Sequence, residues 1–107
     1  MRAAIFTEVD QPLVIEDVDV RKPGPHEVLL RTAFSGLCHS DLHFIEGLYP
    51  HPLPVVLGHE AAGIVEEVGS EVRYVKKGDH VITCLSVFCG VCENCNSGRP
   101  VICLDTD

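Results

Sequence analysis

Cys89, Cys92, Cys95 and Cys103 stand in a C-x2-C-x2-C-x7-C run, which puts four thiols within fifteen positions. Thiolates spaced this way can converge on one tetrahedral metal and wrap a loop around it. Small structural zinc sites use all-cysteine sets with short spacings of this kind, steadied by hydrogen bonds from outside the ligand set. Gly90 and Gly98 let the backbone turn back toward an ion, and Pro100 stiffens the return. Two other chemistries compete for the same residues. The chain has six cysteines, an even number, so a disulfide framework is one. The opening MRAAIFTEVD carries no apolar export segment, so reduced thiols are expected. An iron–sulfur cluster is the other, because its bacterial motif also begins C-x2-C-x2-C. That motif continues with x3 and Cys-Pro, whereas here seven residues intervene and Leu104 follows Cys103. The residue types thus point to a metal, with zinc ahead of iron.

The elements that must position such a lobe read as short strands. Runs at 1–7, 13–20, 28–34, 62–68 and 80–85 are apolar or β-branched, and Pro23-Gly24-Pro25 and Lys77-Gly78-Asp79 mark turns before two of them. Nine glycines and seven prolines punctuate the runs, as an irregular barrel with long loops requires. One short helix is expected at 40–46, capped by Ser40 or Asp41 and ended by Gly47. Residues 48–54 form a proline-rich loop leading to Leu57-Gly58-His59-Glu60. The cysteine stretch 89–103 is expected to hang on the barrel as a lobe ordered by its metal bonds.

Cys38, His59 and Glu60 lie outside that lobe, at the ends of expected strands, where a rigid scaffold commonly positions chemistry. Their neighbours carry a resemblance. Gly58-His59-Glu60-Ala61-Ala62-Gly63, followed by Gly69 and Val72, fits G-H-E-x-x-G-x5-G-x2-V. Cys38-His39-Ser40-Asp41 fits C-x-[ST]-D, and Gly78-Asp79-His80-Val81 fits G-D-x-V. These motifs, in this order and followed by the four-cysteine run, resemble the zinc-containing alcohol dehydrogenases of the medium-chain dehydrogenase/reductase family, in their N-terminal GroES-like catalytic portion.

The resemblance implies a fold and a set of roles. The fold is mainly β: a GroES-like irregular β-barrel with one short helix and a zinc-binding cysteine lobe. Cys38 and His59 would be ligands of a catalytic zinc, with Glu60 an alternative ligand or a close carboxylate. Asp41 would accept a hydrogen bond from His59 and fix its tautomer. Ser40 would take the proton of the alcohol and His43 would relay it toward solvent. His39 would face the pyrophosphate of NAD or NADP. Cys89, Cys92, Cys95 and Cys103 would hold the structural zinc. Ser40 and His43, three apart on the expected helix, share a face as a relay requires, and a histidine near its unperturbed pKa of ~6.5 can accept and release a proton near neutrality.

In this family the third protein ligand of the catalytic zinc and the Rossmann cofactor domain follow later in sequence, and no G-x-G-x-x-G occurs here. Residues 1–107 are therefore expected to be one zinc-binding domain of a longer dehydrogenase, acting on a small alcohol or aldehyde, and inactive alone. A non-catalytic GroES-like zinc-binding scaffold is the alternative. Substrate identity is not legible. The formal net charge of −8 argues against nucleic acid or an anionic membrane surface as partner, and no apolar run approaches the ~18 residues a bilayer span needs. A cytoplasmic protein is expected, with any homodimer made through strand edges or swapped segments. Cys84 is expected to be a buried structural thiol, and His26, His51 and His80 are assigned no role.

Overall fold

The computed structural model describes residues 1–105, so the last two residues of the expected 1–107 domain lie outside the described part. Five strands account for most of the regular structure: β1 (Arg2–Ile5), β2 (Val14–Asp17), β3 (Val28–Ser35), β4 (Ala61–Val68) and β5 (His80–Ile82). β1 and β2 pair antiparallel, Arg2 opposite Asp17 and Ile5 opposite Val14. β3, β4 and β5 form a second antiparallel sheet in that order. The β3–β4 register slips between Leu29 and Leu30 and again between Thr32 and Phe34. Each slip bends the strand and raises its twist, as an irregular barrel wall requires.

Phe6, just after β1, bridges to Val55 in the segment before β4, and their backbones exchange hydrogen bonds of 2.8 and 3.0 Å. Phe6, 2% exposed, and Val65 on β4, 1% exposed, are with Val72 the buried apolar residues among those described. That core is small. The Cα radius of gyration is 15.5 Å, against about 13 Å for a compact domain of this length. At one end of the β3–β5 sheet Phe34, Leu37, Ile82 and Leu85 stand exposed, Leu37 by 96%.

The helix expected at 40–46 is α1 (His39–Ile45). Its N-cap residue is Cys38 rather than Ser40 or Asp41. Asp41 contributes from the third helical position, where its Oδ2 accepts the Cys38 N–H at 3.1 Å, the reciprocal half of a capping box. Gly47 ends the helix at φ 74°. The Gly47 N–H donates to the Phe44 carbonyl at 3.0 Å and the Leu48 N–H to the His43 carbonyl at 2.9 Å, which together make a Schellman turn.

Two further helical turns, unforeseen in the sequence, lie in the cysteine lobe: α2 (Glu93–Asn96) and a 3-10 turn at Pro100–Ile102. Both are single turns held by side chains rather than by helix propensity. Asn94 Nδ2 donates to the Ile102 carbonyl at 2.7 Å and Asn96 Nδ2 to the Val91 carbonyl at 2.9 Å. The strand expected at 80–85 stops at Ile82. Cys84 therefore falls in the following loop and is exposed, which corrects its expected burial.

Candidate metal centres

The four lobe cysteines come together. All four sulfurs lie within 4.8 Å of one another, with Cys92 Sγ 3.4 Å from Cys95 Sγ and 3.8 Å from Cys103 Sγ. A tetrahedral zinc with Zn–S bonds of ~2.3 Å has sulfur–sulfur edges of ~3.8 Å. The donor set therefore fits a zinc ion in number, chemistry and spacing.

Backbone geometry favours thiolates here. The Cys89 N–H points at Cys103 Sγ at 3.3 Å, and Asp105 N–H at the same sulfur at 3.4 Å. Val91 and Cys92 N–H groups point at Cys89 Sγ at 3.5 and 3.3 Å. Gly90 and Gly98, at φ 77° and 80°, make the reversals that aim these amides inward. Hydrogen bonds from the Leu104 and Cys95 backbone hold the Cys92 thiol down at about 6. Desolvation, then the bond to Cys92, pushes Cys95 up to about 12. Cys103 is lowered, first by the Cys89 amide. Four thiolates this close repel one another unless a cation sits among them.

The second cluster is built from two segments of the chain. Cys38 sits at the start of α1, and His59 and Glu60 sit just before β4. One ligand atom from each falls within 4.8 Å of the others. Asp41 Oδ1 lies 3.4 Å from His59 Nδ1, with both side chains largely buried at 15% and 21% exposure. His59 thus presents Nδ1 to the Asp41 carboxylate and its other ring nitrogen, Nε2, away from it. That nitrogen is the one near Glu60, 4.0 Å from its Oε1. One soft sulfur, one imidazole nitrogen and a nearby carboxylate form a set that suits zinc and leaves a position open.

Two residues without any motif around them, Thr83 and Gly36, hold this cluster in place. Thr83 Oγ1 donates to the His59 carbonyl at 2.8 Å and accepts the Ala61 N–H at 3.0 Å, which locks residues 59–61 to the end of β5. Gly36 donates its N–H to the Glu60 carbonyl at 2.9 Å. A Cβ on Gly36 would collide with the Glu60 carboxylate. The cluster opens onto a cleft of about 660 Å³ whose walls include Phe34, Ala62, Ile82 and Leu85.

The other residues singled out in the sequence lie on α1. Ser40 is half-buried and His39 exposed. No hydrogen bond joins Ser40 to His43 among the described residues. His43 instead meets two rings edge-on, His39 with centroids 4.7 Å apart and Tyr49 at 5.2 Å.

A mainly β unit with a four-cysteine lobe and a separate Cys–His–Glu cluster beside an apolar cleft, both able to hold a metal, has the character of a GroES-like domain. Residues 24–107 match the family model described as "Alcohol dehydrogenase GroES-like domain". Among curated relatives, an alcohol dehydrogenase class-3 of Drosophila melanogaster is 47% identical over 103 residues, 95% of this chain and 27% of that protein. An S-(hydroxymethyl)glutathione dehydrogenase of Candida maltosa is 46% identical over the same length, again 95% and 27%. A cobalt- and zinc-bound thermostable alcohol dehydrogenase from Pyrobaculum aerophilum superposes with a TM-score of 0.87 at 35% identity, over 99% of this chain and 33% of that one. The chain belongs to the alcohol dehydrogenase family and corresponds to its GroES-like domain. It spans about a quarter of the length of the curated relatives it matches. No helix among the described residues is long and apolar enough to cross a membrane.

Proposed function

We propose that residues 1–107 form the zinc-binding domain of an alcohol dehydrogenase that interconverts an alcohol and its aldehyde or ketone with NAD or NADP. The observation that carries this reading is the convergence of Cys38, His59 and Glu60 at an apolar cleft, with Asp41 behind His59. Cys38 and His59 would hold a zinc ion, which would supply Lewis-acid polarisation of the alcohol oxygen. Asp41 keeps the His59 proton on Nδ1. Glu60, the more exposed member, serves as an alternative ligand or a nearby charge. Ser40 accepts the hydroxyl proton, and His43, one helical turn on, passes it toward solvent. His39, exposed on the same helix, would contact the phosphates of a bound cofactor. A bound nicotinamide would supply the hydride acceptor, so that loss of one proton and one hydride from the alcohol yields the carbonyl product.

Cys89, Cys92, Cys95 and Cys103 hold a second zinc that orders the lobe and takes no part in turnover. The dinucleotide-binding domain and a further catalytic ligand lie in sequence outside 1–107. The protein works in the cytoplasm, where its thiols would stay reduced. Any homodimer of residues 1–107 uses the open edges of the sheets.

The test is alcohol-dependent reduction of NAD or NADP by the polypeptide that carries this domain. Cys38→Ala should abolish it and Ser40→Ala should lower kcat. Full activity in Cys38→Ala would reject the reading in favour of a scaffold. Residues 1–107 alone should be inactive, and NADH formation by them that Cys38→Ala removes would overturn the assignment of the cofactor half to other sequence.

A further inference from the structure

We infer that Tyr49 is a positioning residue for His43: its ring holds the His43 imidazole edge-on, in a fixed orientation on α1. The inference rests on the reading of His43 as the proton carrier proposed above.

Its basis is local and begins with the way α1 ends. The Schellman turn at Gly47 reverses the chain, so that the Leu48 N–H donates to the His43 carbonyl at 2.9 Å and the Tyr49 N–H approaches the same carbonyl at 3.4 Å. Two successive amides are thus tied to the residue whose side chain is at issue. Tyr49 is thereby folded back along the helix rather than carried away from it.

Its ring lands 5.2 Å from the His43 ring at an interplanar angle of 87°, and 5.4 Å from Phe44 at 72°. Near-perpendicular contacts at these separations are the favoured edge-to-face arrangement, in which a positive ring edge meets a negative ring face. His43 also meets His39 at 4.7 Å and 68°. Each of these contacts favours one orientation of the imidazole over its alternatives, by about 0.5–1.5 kcal/mol for a pair of this kind. A proton carrier benefits from this, because its ring nitrogens must stay aligned between donor and acceptor. The turn itself is fixed twice: Gly47 has φ 74°, and a Cβ there would come within 2.8 Å of Val9 Cγ1. Tyr49 is half-exposed, so its ring is not needed to fill the core.

Two variants separate orientation from bulk: Tyr49→Phe keeps the ring and Tyr49→Leu removes it. In the zinc-loaded 107-residue chain, NMR should show cross-relaxation between the two rings and His43 ring protons shifted upfield. Tyr49→Phe should retain the shift and Tyr49→Leu should lose it while other resonances stay in place. Unchanged His43 ring resonances in Tyr49→Leu would overturn the contact.

In the alcohol oxidation assay, Tyr49→Leu should lower kcat about tenfold and alter its pH profile with KM nearly unchanged. That loss is part of the ~10²–10⁴-fold that a positioned proton carrier contributes. Tyr49→Phe should stay near the unmodified enzyme. A Tyr49→Leu effect confined to KM would overturn the positioning role and make Tyr49 a substrate contact. The reading of His43 fails separately: if His43→Ala leaves the pH profile of kcat unaltered, His43 carries no proton, whatever its ring contacts.

Discussion

Asp41 has two duties that a single substitution can divide. Its Oδ2 accepts the Cys38 N–H at 3.1 Å, and its Oδ1 faces His59 Nδ1 at 3.4 Å. In Asp41→Asn the amide oxygen can keep the bond to Cys38, which turns the amide NH2 toward His59. His59 must then accept at Nδ1 and carry its proton on Nε2, the nitrogen that faces Glu60. A protonated Nε2 cannot ligate a metal. Loss of such an orienting partner typically costs 10–100-fold in metal affinity, about 1.4–2.7 kcal/mol. Thermal stability should hardly change, because the bond to the helix start survives. Asp41→Ala loses that bond as well, for a further ~1 kcal/mol. In a chain of this size that is a fall of ~4–8 °C in Tm. The assay is zinc competition against a colorimetric chelator, scored at the Cys38–His59 site in a background where the lobe is saturated, alongside thermal unfolding. Unchanged zinc affinity in a folded Asp41→Asn protein would refute the claim that Asp41 sets the His59 tautomer.

Gly47→Ala should destabilise the domain by about 1–2 kcal/mol, since an L-residue at φ 74° is strained and the new methyl meets Val9; chemical denaturation will show it. Cys84 should react with a thiol reagent in the native zinc-loaded protein while the four lobe cysteines stay protected, as peptide mapping can check. The Arg21 guanidinium, and then the Gly24 N–H, hold the Glu27 carboxyl below its ordinary 4.5. A depressed carboxyl stabilises the fold above 4.5 and loses that contribution as pH falls through its native value. Glu27→Gln should therefore lessen acid sensitivity between 4.5 and the lower native value of Glu27 and leave it unchanged at neutral pH, and an NMR titration that places Glu27 at or above 4.5 would contradict the contact.

The strands, the α1 helix and the metal-binding residue types were legible because each has a local cause: β-branched runs between Gly-Pro turns, a glycine that terminates α1, and cysteines at ligand spacing. What was not legible depends on contacts distant in sequence. β5 ends at Ile82 because Thr83 turns its hydroxyl to His59 and Ala61, so the apolar run continuing to Leu85 gave false length and false burial to Cys84. The cap at Cys38 was missed because cysteine is a poor capping residue, and its place is set by the Asp41 carboxylate reaching back. The helical turns of the lobe follow from Asn94 and Asn96 side-chain bonds that no periodicity announces. Tyr49 lay in a loop with no motif, and only the reversal at Gly47 brings it to His43.

Metal content per chain tests the account most directly. Elemental mass spectrometry on protein saturated with zinc and then freed of excess should give two zincs per chain. Cys38→Ser and Cys103→Ser should each retain one. No zinc at all, iron in its place, or two zincs that persist in Cys38→Ser would contradict the assignment of a metal centre at Cys38, His59 and Glu60 beside the four-cysteine lobe.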